Sequence, residues 1–300
     1  MNVSPNFARH IEALSPASDA MWVGGMTTGL VLTLVAAFAP LPANGGTMCA
    51  YLGLFIRTAL YASAGETLQQ RGGATIVALL RVGIVAGLFE LIVDWWLVNG
   101  ITNGRLDYLG ARDVVLLASP IWMPLAWACV IVELGYPAIR LFGLLRRRLE
   151  QRIAAIFSAV IVAIFAGIMI GFYEYFAFRA GWWKYGSANA MIGSFCALFI
   201  PVGEALMFLA ILPIAARTLS RDDRPIASPV AGGAVFSVAI WAGYALAGAS
   251  APTCTWVLTT LATSAIKAYI SVARNGAFAP FVRPTPQSDP RRHDRARIVS

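Results

Sequence analysis

The sequence predicts an all-α membrane protein, a polytopic bundle of about eight transmembrane helices. Of its 300 residues, 58% are hydrophobic and only 13% are charged, and the mean hydropathy is +0.69. A soluble domain carries about 25% charged residues. The net charge of +8 is concentrated in a few short connections, as the positive-inside rule expects. No basic surface with interleaved aromatic residues indicates nucleic-acid binding.

Eight apolar segments are each about long enough to cross a bilayer. Two of them, the second and the eighth, also hold a basic residue, Arg57 and Lys267 respectively. Together the eight define a transmembrane domain over residues 21–272. In chain order, the expected spans are Met21–Pro42, Thr47–Ala64, Ala74–Val98, Asp113–Gly135, Ile153–Phe178, Ala188–Ala215, Pro229–Ala249 and Thr255–Val272.

The connections between the spans predict their orientation. Arg is dense in "RRRLEQR" (146–152), in "RTLSRDDRP" (217–225) and in the tail over residues 273–300. Alternating spans put these segments on one side together with both termini, which are therefore predicted to be cytoplasmic. Residues 1–20 lack the order of a cleavable signal and are expected to form a cytoplasmic leader. The tail is expected to be disordered. The expected location is a bacterial-type inner or plasma membrane.

Histidine and cysteine are too scattered for a metal or redox centre. The two histidines, His10 and His293, lie near the two ends of the sequence, which argues against a haem, di-iron or copper centre in the membrane. No ligand spacing occurs among the cysteines, so neither a disulfide framework nor a zinc site is indicated. We therefore expect no metal and no cofactor.

Two stretches of the chain, "LDYLGARDVVLLASPIWMPLAW" and "WKYGSANAMIGSFCALFIPVGE", follow the same pattern. In each, a Tyr (Tyr108 or Tyr185) is followed sixteen residues later by a Pro. Three residues after that Pro comes Trp127 in the first copy and Glu204 in the second. Each stretch follows a helix that ends in acidic and aromatic residues, so we predict a duplicated helix pair. The two copies are expected to be parallel repeats over about residues 74–136 and 153–215.

Acidic residues within the apolar segments are the candidate catalytic groups. Glu90 and Asp94 lie four residues apart and share one face of a helix, Glu174 lies near a helix end, and Glu204 lies mid-helix. An ionised carboxylate at membrane depth costs at least about 2.5 kcal/mol. Such a group must face the protein interior, pair with a cation or stay protonated. Ion pairs that only fix helix packing are therefore the alternative, and the buried cations available for them are Arg57, Arg81 and Lys267.

Aromatic residues gather around the same helices and their loops. A belt at the membrane interface is one explanation for them. The other is a substrate pocket, because aromatic faces stabilise a cation by about 0.5–2 kcal/mol each. A protonated carboxylic acid can protonate a poor base such as an alkene or epoxide, and aromatic walls suit the carbocation that results. The candidate wall residues are Trp95, Tyr108, Trp122, Trp127, Trp183 and Tyr185.

The second copy resembles a known family. The order W-x-Y, about fifteen residues, then P-x-x-E and an aromatic residue is similar to the lycopene cyclase domain of membrane carotenoid cyclases. In this chain the pattern consists of Trp183, Tyr185, Pro201, Glu204 and Phe208. The first copy looks more like the carotenoid hydratase type of membrane protein, and both resemble the small integral membrane terpene cyclases. The residues that carry the likeness of the first copy are Glu90, Tyr108, Pro124 and Trp127.

The resemblance covers about Ala74–Pro213 and implies a helical membrane enzyme. Such an enzyme would cyclise or hydrate a polyprenyl-type lipid by protonation, without a redox cofactor, and Phe208 would join the substrate contacts. The sequence departs from the P-x-E-E core at Gly203, where the family has a further acid. The acid role would then be shared among Glu204, Glu174, Asp94 and Glu90.

Two other functional classes stay open. Buried acids and repeats also occur in proton-coupled transporters, and a non-catalytic membrane scaffold needs charges only to join its helices. The expected partners are a lipophilic isoprenoid substrate and the lipid bilayer. We expect changed cellular isoprenoids for the enzyme and altered solute uptake for the transporter.

Overall fold

Long helices account for most of the regular structure in the computed structural model, which describes residues 4–110, 113–220 and 227–248. The described chain is an all-α bundle, as predicted. The helices are α1 (Pro5–Glu12), α2 (Pro16–Phe38), α3 (Gly45–Thr67), α4 (Ala74–Asn99), α5 (Met123–Leu145), α6 (Gln151–Arg179), α7 (Phe199–Leu209), α8 (Ile211–Ser220) and α9 (Ala227–Ala247). A π-helical turn, Gln69–Gly73, joins α3 to α4. The strands are β1 (Leu106–Tyr108), β2 (Val115–Leu116), β3 (Ser119–Pro120), β4 (Trp183–Tyr185), β5 (Met191–Ile192) and β6 (Cys196–Ala197).

Six helical segments of the described chain are long and apolar enough to cross a membrane, which confirms the prediction of a helical integral membrane protein. α3 is not among them, although it is as long as α2, because Arg57 and Glu66 lower its hydropathy. The eighth predicted span, Thr255–Val272 with Lys267, lies outside the described residues, as does the tail over 273–300. The six segments are Pro16–Phe38, Arg71–Asn99, Met123–Leu145, Gln151–Arg179, Phe199–Ser220 and Pro229–Ala247.

Two predicted helix starts are wrong for the same reason. The spans expected from Asp113 and Ala188 begin instead at Met123 and Phe199. The apolar residues before each helix form a short antiparallel hairpin, β2–β3 in one case and β5–β6 in the other. The first hairpin turns through Leu117, which has a φ of 58°. Hydropathy alone cannot separate a short apolar hairpin from a helix, because both are apolar.

The N-terminal residues, which were expected to form only a polar leader, include a helix that packs on the bundle. Ser4 caps α1 by accepting a hydrogen bond from the backbone N–H of Phe7 at 3.2 Å. The buried rings of Phe7 and Phe142 stack with their centroids 6.0 Å apart, which fixes α1 against α5. α2 then begins at Pro16, with a capping box formed by Ser15 and Ser18, a strong helix-start signal.

The two predicted repeat units have the same order of elements: a long helix, a single strand, a hairpin and a second helix. The helices of each pair approach closely at an equivalent glycine. A Cβ atom on Gly87 would lie 2.6 Å from the carbonyl oxygen of Pro124, and one on Gly167 would lie 3.2 Å from that of Pro201. The duplication itself stays a prediction.

Strands β1 and β4, one from each unit, pair with each other. The register is antiparallel and places Asp107 opposite Lys184, with a Tyr of each strand opposite an apolar residue of the other. This arrangement is what a two-fold relation between the units would produce. The paired strands bring the loops of both units over the ends of α4 and α6, where the candidate site lies.

Candidate functional site

The four acids that the sequence singled out line one cavity of about 70 Å³. Glu90 and Asp94 come from α4, Glu174 from α6 and Glu204 from α7. None of them is more than 5% exposed. Glu90 and Asp94 reach the same space because residues four apart share a helix face. The carboxyl groups therefore converge, while their catalytic role stays a prediction.

Asp94 is held by two hydroxyl donors from the first unit. Its Oδ2 atom accepts hydrogen bonds from the phenol of Tyr108 at 2.5 Å and from the hydroxyl of Ser119 at 2.7 Å. Burial raises the pKa of Tyr108 well above its usual value, so this phenol keeps its proton and can donate. Sequence reasoning missed Ser119, because it lies in an apolar stretch that was expected to be helical. Its neighbour Pro120 was the available signal, since Pro disfavours helix in the residue before it.

Glu174 occupies the matching position in the second unit. Both Asp94 and Glu174 lie five residues before the end of their helices, α4 and α6. The Oε2 atom of Glu174 accepts a hydrogen bond from the indole N–H of Trp183 at 2.6 Å. The phenol of Tyr185 lies beside the same carboxyl group. The loop strand of each unit thus supplies donors to the acid at the end of its own helix.

Glu204 differs from these two acids. Its Oε2 atom is buried and has no hydrogen-bond partner among the described residues. A buried carboxyl oxygen without a partner is uncommon and costly, by about 1–3 kcal/mol. Such an atom is free to interact with a molecule that enters the cavity. Glu204 is thus the acid best placed to contact a ligand directly.

The walls of the cavity are apolar and aromatic. Four of the candidate wall residues, Trp127, Trp183, Tyr108 and Tyr185, line it together with Tyr173 of α6. Their contact with a substrate stays a prediction. The rings of Tyr108 and Trp183 meet edge to face with their centroids 6.1 Å apart. Two aromatic residues that pair across β1 and β4 therefore face the acids together.

Three predicted substrate contacts lie elsewhere. Trp95 is 50% exposed on the outside of α4. Trp122 is buried, but its indole N–H donates to Asp113 at 2.7 Å, and its ring lines a separate small space beside Arg57. Phe208 is fully buried and stacks on Phe236 of α9. These three side chains support the walls of the bundle and do not face the acids.

A comparison with known protein families identifies the chain. Residues 91–249, just over half of the sequence, match a family described as a domain of unknown function (DUF6989). The chain belongs to this family. The matched region includes Asp94, Glu174 and Glu204, whereas Glu90 lies one residue before it. No curated protein and no solved structure matches the chain.

The DUF6989 domain also contains one half of a second buried polar cluster. Glu133 of α5 forms an ion pair with Arg57 of α3, which precedes the domain, with 2.9 Å between Oε1 and Nη1. The phenol of Tyr61 donates to the same oxygen at 3.1 Å. An ion pair of the kind that the sequence offered as the alternative for the candidate acids is therefore present here, but its acid is Glu133. Arg81 is exposed on α4.

None of the four cavity acids forms an ion pair with a basic residue in the described chain. The cluster is therefore built from acids and neutral donors. No group of three or more His, Cys, Asp or Glu side chains within residues 4–110, 113–220 and 227–248 is arranged to hold a metal ion.

Proposed function

We propose that this chain is a membrane enzyme that protonates a lipophilic isoprenoid and thereby starts its cyclisation or hydration. One observation carries the proposal: four buried carboxyl groups line a single apolar cavity and have no basic partner in the described chain. A cluster of that kind is expensive to ionise, because each charge loses its hydration and repels the others. Protons held there are available for transfer.

Glu204 is the proposed proton donor. Its free Oε2 atom can approach an alkene carbon, whereas the Oδ2 atom of Asp94 already accepts two hydrogen bonds. In the proposed step, the π electrons of the alkene form a C–H bond to the proton of Glu204, and the carboxylate remains behind. The resulting cation closes a ring and loses a proton from carbon, or captures water and loses a proton from the added oxygen. In both cases the proton lost restores the carboxylic acid of the cavity. General acid catalysis of this kind contributes about 10²–10⁴-fold to a rate.

The aromatic wall has a matching role in the proposal. Trp127 and Trp183 face the cavity from opposite units, where they can stabilise a cation by about 0.5–2 kcal/mol each. Tyr108 and Tyr185 add two further faces. No redox cofactor is needed for this chemistry.

The size of the cavity limits what enters it. A volume of about 70 Å³ is well below the 300–1,000 Å³ of typical ligand pockets. In the proposal, therefore, only the reacting end group of the isoprenoid reaches the acids, and the rest of the chain stays in the lipid.

The experiment that tests this proposal follows the proton. Cells with and without the gene are grown and their isoprenoid lipids are compared, and the assay is then repeated in deuterated water with purified protein in vesicles. We expect a new cyclised or hydrated isoprenoid that carries one deuterium at the protonated carbon. Glu204→Gln should abolish that product, and the matched control Glu66→Gln, an exposed acid on α3, should not. An unchanged product with Glu204→Gln would remove Glu204 from the mechanism.

A proton-coupled carrier is the second candidate, and two observations favour it. The span Phe199–Ser220 is interrupted at Ala210, between α7 and α8, and broken helices are typical of transporters. The small acid cavity also suits a proton better than a large substrate. If cells with and without the gene have the same isoprenoid lipids, and the protein in vesicles takes up a solute in a proton-dependent way, the carrier is established and the proposed enzyme is ruled out.

A further inference from the structure

The hairpin β2–β3 carries an exposed aliphatic surface at its turn. Four consecutive side chains are between 44% and 64% exposed, and we call them the hairpin tip: Val114, Val115, Leu116 and Leu117. Full burial of one such side chain stabilises by about 1.5–3 kcal/mol. Four adjacent aliphatic side chains in water would therefore be costly, and a run of this kind indicates a functional contact.

The hairpin is fixed below the ends of the neighbouring helices. The hydroxyl of Ser119 donates to Asp94 at 2.7 Å, and Asp94 lies five residues before the end of α4 at Asn99. At about 1.5 Å per residue, that position is roughly 7.5 Å inside the helix end. Ser119 pairs with Leu116 next to the turn of the hairpin. The turn therefore lies beside the last turns of a membrane-spanning helix, not above them.

A second anchor places the other strand at a similar depth. Asp113 accepts a hydrogen bond from the phenol of Tyr51 at 2.6 Å. Tyr51 lies six residues after the start of α3 at Gly45, or roughly 9 Å along its axis. The indole N–H of Trp122 donates to the other oxygen of Asp113 at 2.7 Å. The residues that flank the two strands are thus held beside the neighbouring helices, within the length of those helices.

The backbone of the hairpin suits such a position. Irregular backbone is tolerated at membrane depth only where the protein satisfies its polar groups. Ser119 and Pro120 are buried, and the N–H of Ile121 donates to the carbonyl oxygen of Val114 at 2.8 Å. The side chains of the tip face outward, as does that of Ile121, which is 48% exposed.

We infer that β2–β3 is a re-entrant hairpin whose tip contacts the acyl chains of the bilayer. The sequence predicted the start of a membrane-spanning helix in this segment. In the inferred arrangement, the apolar side chains of the hairpin face lipid in place of that helix, which explains why the segment is as hydrophobic as a span. The inference does not depend on the proposed function.

The matching hairpin of the second unit, β5–β6, is packed differently, and the difference supports lipid as the partner of the β2–β3 tip. Its turn contains Gly193 and Ser194, and its apolar residues Ile192 and Phe195 line an apolar groove against α6 and α7. That hairpin is therefore packed on its own chain. The tip of β2–β3 lacks such cover among the described residues and is left to the surrounding lipid.

Photolabelling from within the bilayer tests the inference. The full chain is reconstituted into phosphatidylcholine vesicles that contain a lipid with a diazirine on its acyl chain, and the labelled peptides are mapped. We expect labelling of residues 114–117 to equal that of the exposed Ile164 and Phe172 on α6. Leu149 is a matched control, because it is 38% exposed but lies in the Arg-rich connection after α5. Labelling of the tip no greater than that of Leu149 would overturn the inference.

Two variants give an independent readout. Leu116→Lys should lower the unfolding temperature of the protein in vesicles, because a charge among acyl chains is costly, while Leu149→Lys should leave that temperature unchanged. Equal behaviour of the two variants would contradict a lipid contact. Disulfide-linked dimers of Val115→Cys through this residue would also overturn the inference, since they would assign the tip to a second copy of the chain.

Discussion

Two buried polar clusters in the described part of the chain differ in charge balance. In one, Glu133 and Arg57 neutralise each other, and Tyr61 completes the hydrogen bonding. In the other, four acids share a cavity with neutral donors only. The comparison teaches that depth in the membrane does not by itself make an acid functional. The partner of the acid makes the difference. A buried acid paired with a cation can fix helices, whereas an unpaired one is costly and therefore indicates a functional group.

The largest effect is expected from breaking the balanced cluster. Glu133→Gln leaves Arg57 buried without its counter-charge, so we expect a loss of about 3–5 kcal/mol in the free energy of unfolding. Denaturation of the protein in detergent micelles measures this loss. The double variant Arg57→Met, Glu133→Leu should regain most of it, because it removes both charges together. If the double variant is as unstable as the single one, the pair is not the source of the stability.

In the acid cavity, loss of a donor should affect activity more than stability. Tyr108→Phe removes one of the two hydrogen bonds that Asp94 accepts, and the bond from Ser119 remains. The free energy of unfolding should therefore fall by only about 0.5–1.5 kcal/mol. We expect a fall in isoprenoid product with little change in unfolding temperature. Tyr175→Phe is the matched control, since that phenol lines the outer groove and not the acid cavity. Equal product from both variants would contradict a role for Tyr108.

The two units can be compared at their equivalent glycines. Gly87→Ala would bring a methyl group to 2.6 Å from the Pro124 carbonyl oxygen, whereas Gly167→Ala leaves 3.2 Å to that of Pro201. Overpacking costs about 1–3 kcal/mol, so we expect Gly87→Ala to be clearly destabilising and Gly167→Ala to be milder. Thermal unfolding of both variants measures the difference. The reverse order would mean that α6 and α7 are packed more rigidly than α4 and α5.

The smallest effect is expected outside the cavity. Trp95 is half exposed, so Trp95→Leu should change the free energy of unfolding by no more than about 0.5 kcal/mol and leave the product unchanged. Trp127→Leu, which alters the cavity wall, should lower product formation. Loss of product with Trp95→Leu would show that the substrate extends over the outside of α4.

The membrane class and the common helix face of two of the acids follow from the sequence, for physical reasons. Apolar length and low charge are properties of composition, and the spacing of Glu90 and Asp94 fixes their common face on any helix. The ion pair between Arg57 and Glu133 was not predictable, because the two residues lie 76 positions apart and only tertiary packing brings them together.

The loops are where sequence reasoning fails. The hairpins before α5 and α7 are as apolar as helices, so hydropathy assigned them to spans and hid the role of Ser119. Pro124, the second residue of α5, was the better guide, since Pro favours the first turn of a helix. Trp122 was expected in the site because it was placed within a helix, and the hairpin directs it towards Asp113 instead.

The infrared spectrum of the protein in lipid vesicles at neutral pH tests whether the cavity acids hold protons. We expect a carbonyl stretching band of protonated carboxyl groups that shifts in deuterated water and weakens in Glu204→Gln, but not in Glu66→Gln. A spectrum without that band would show that the cavity acids are ionised, and it would contradict proton donation from this site.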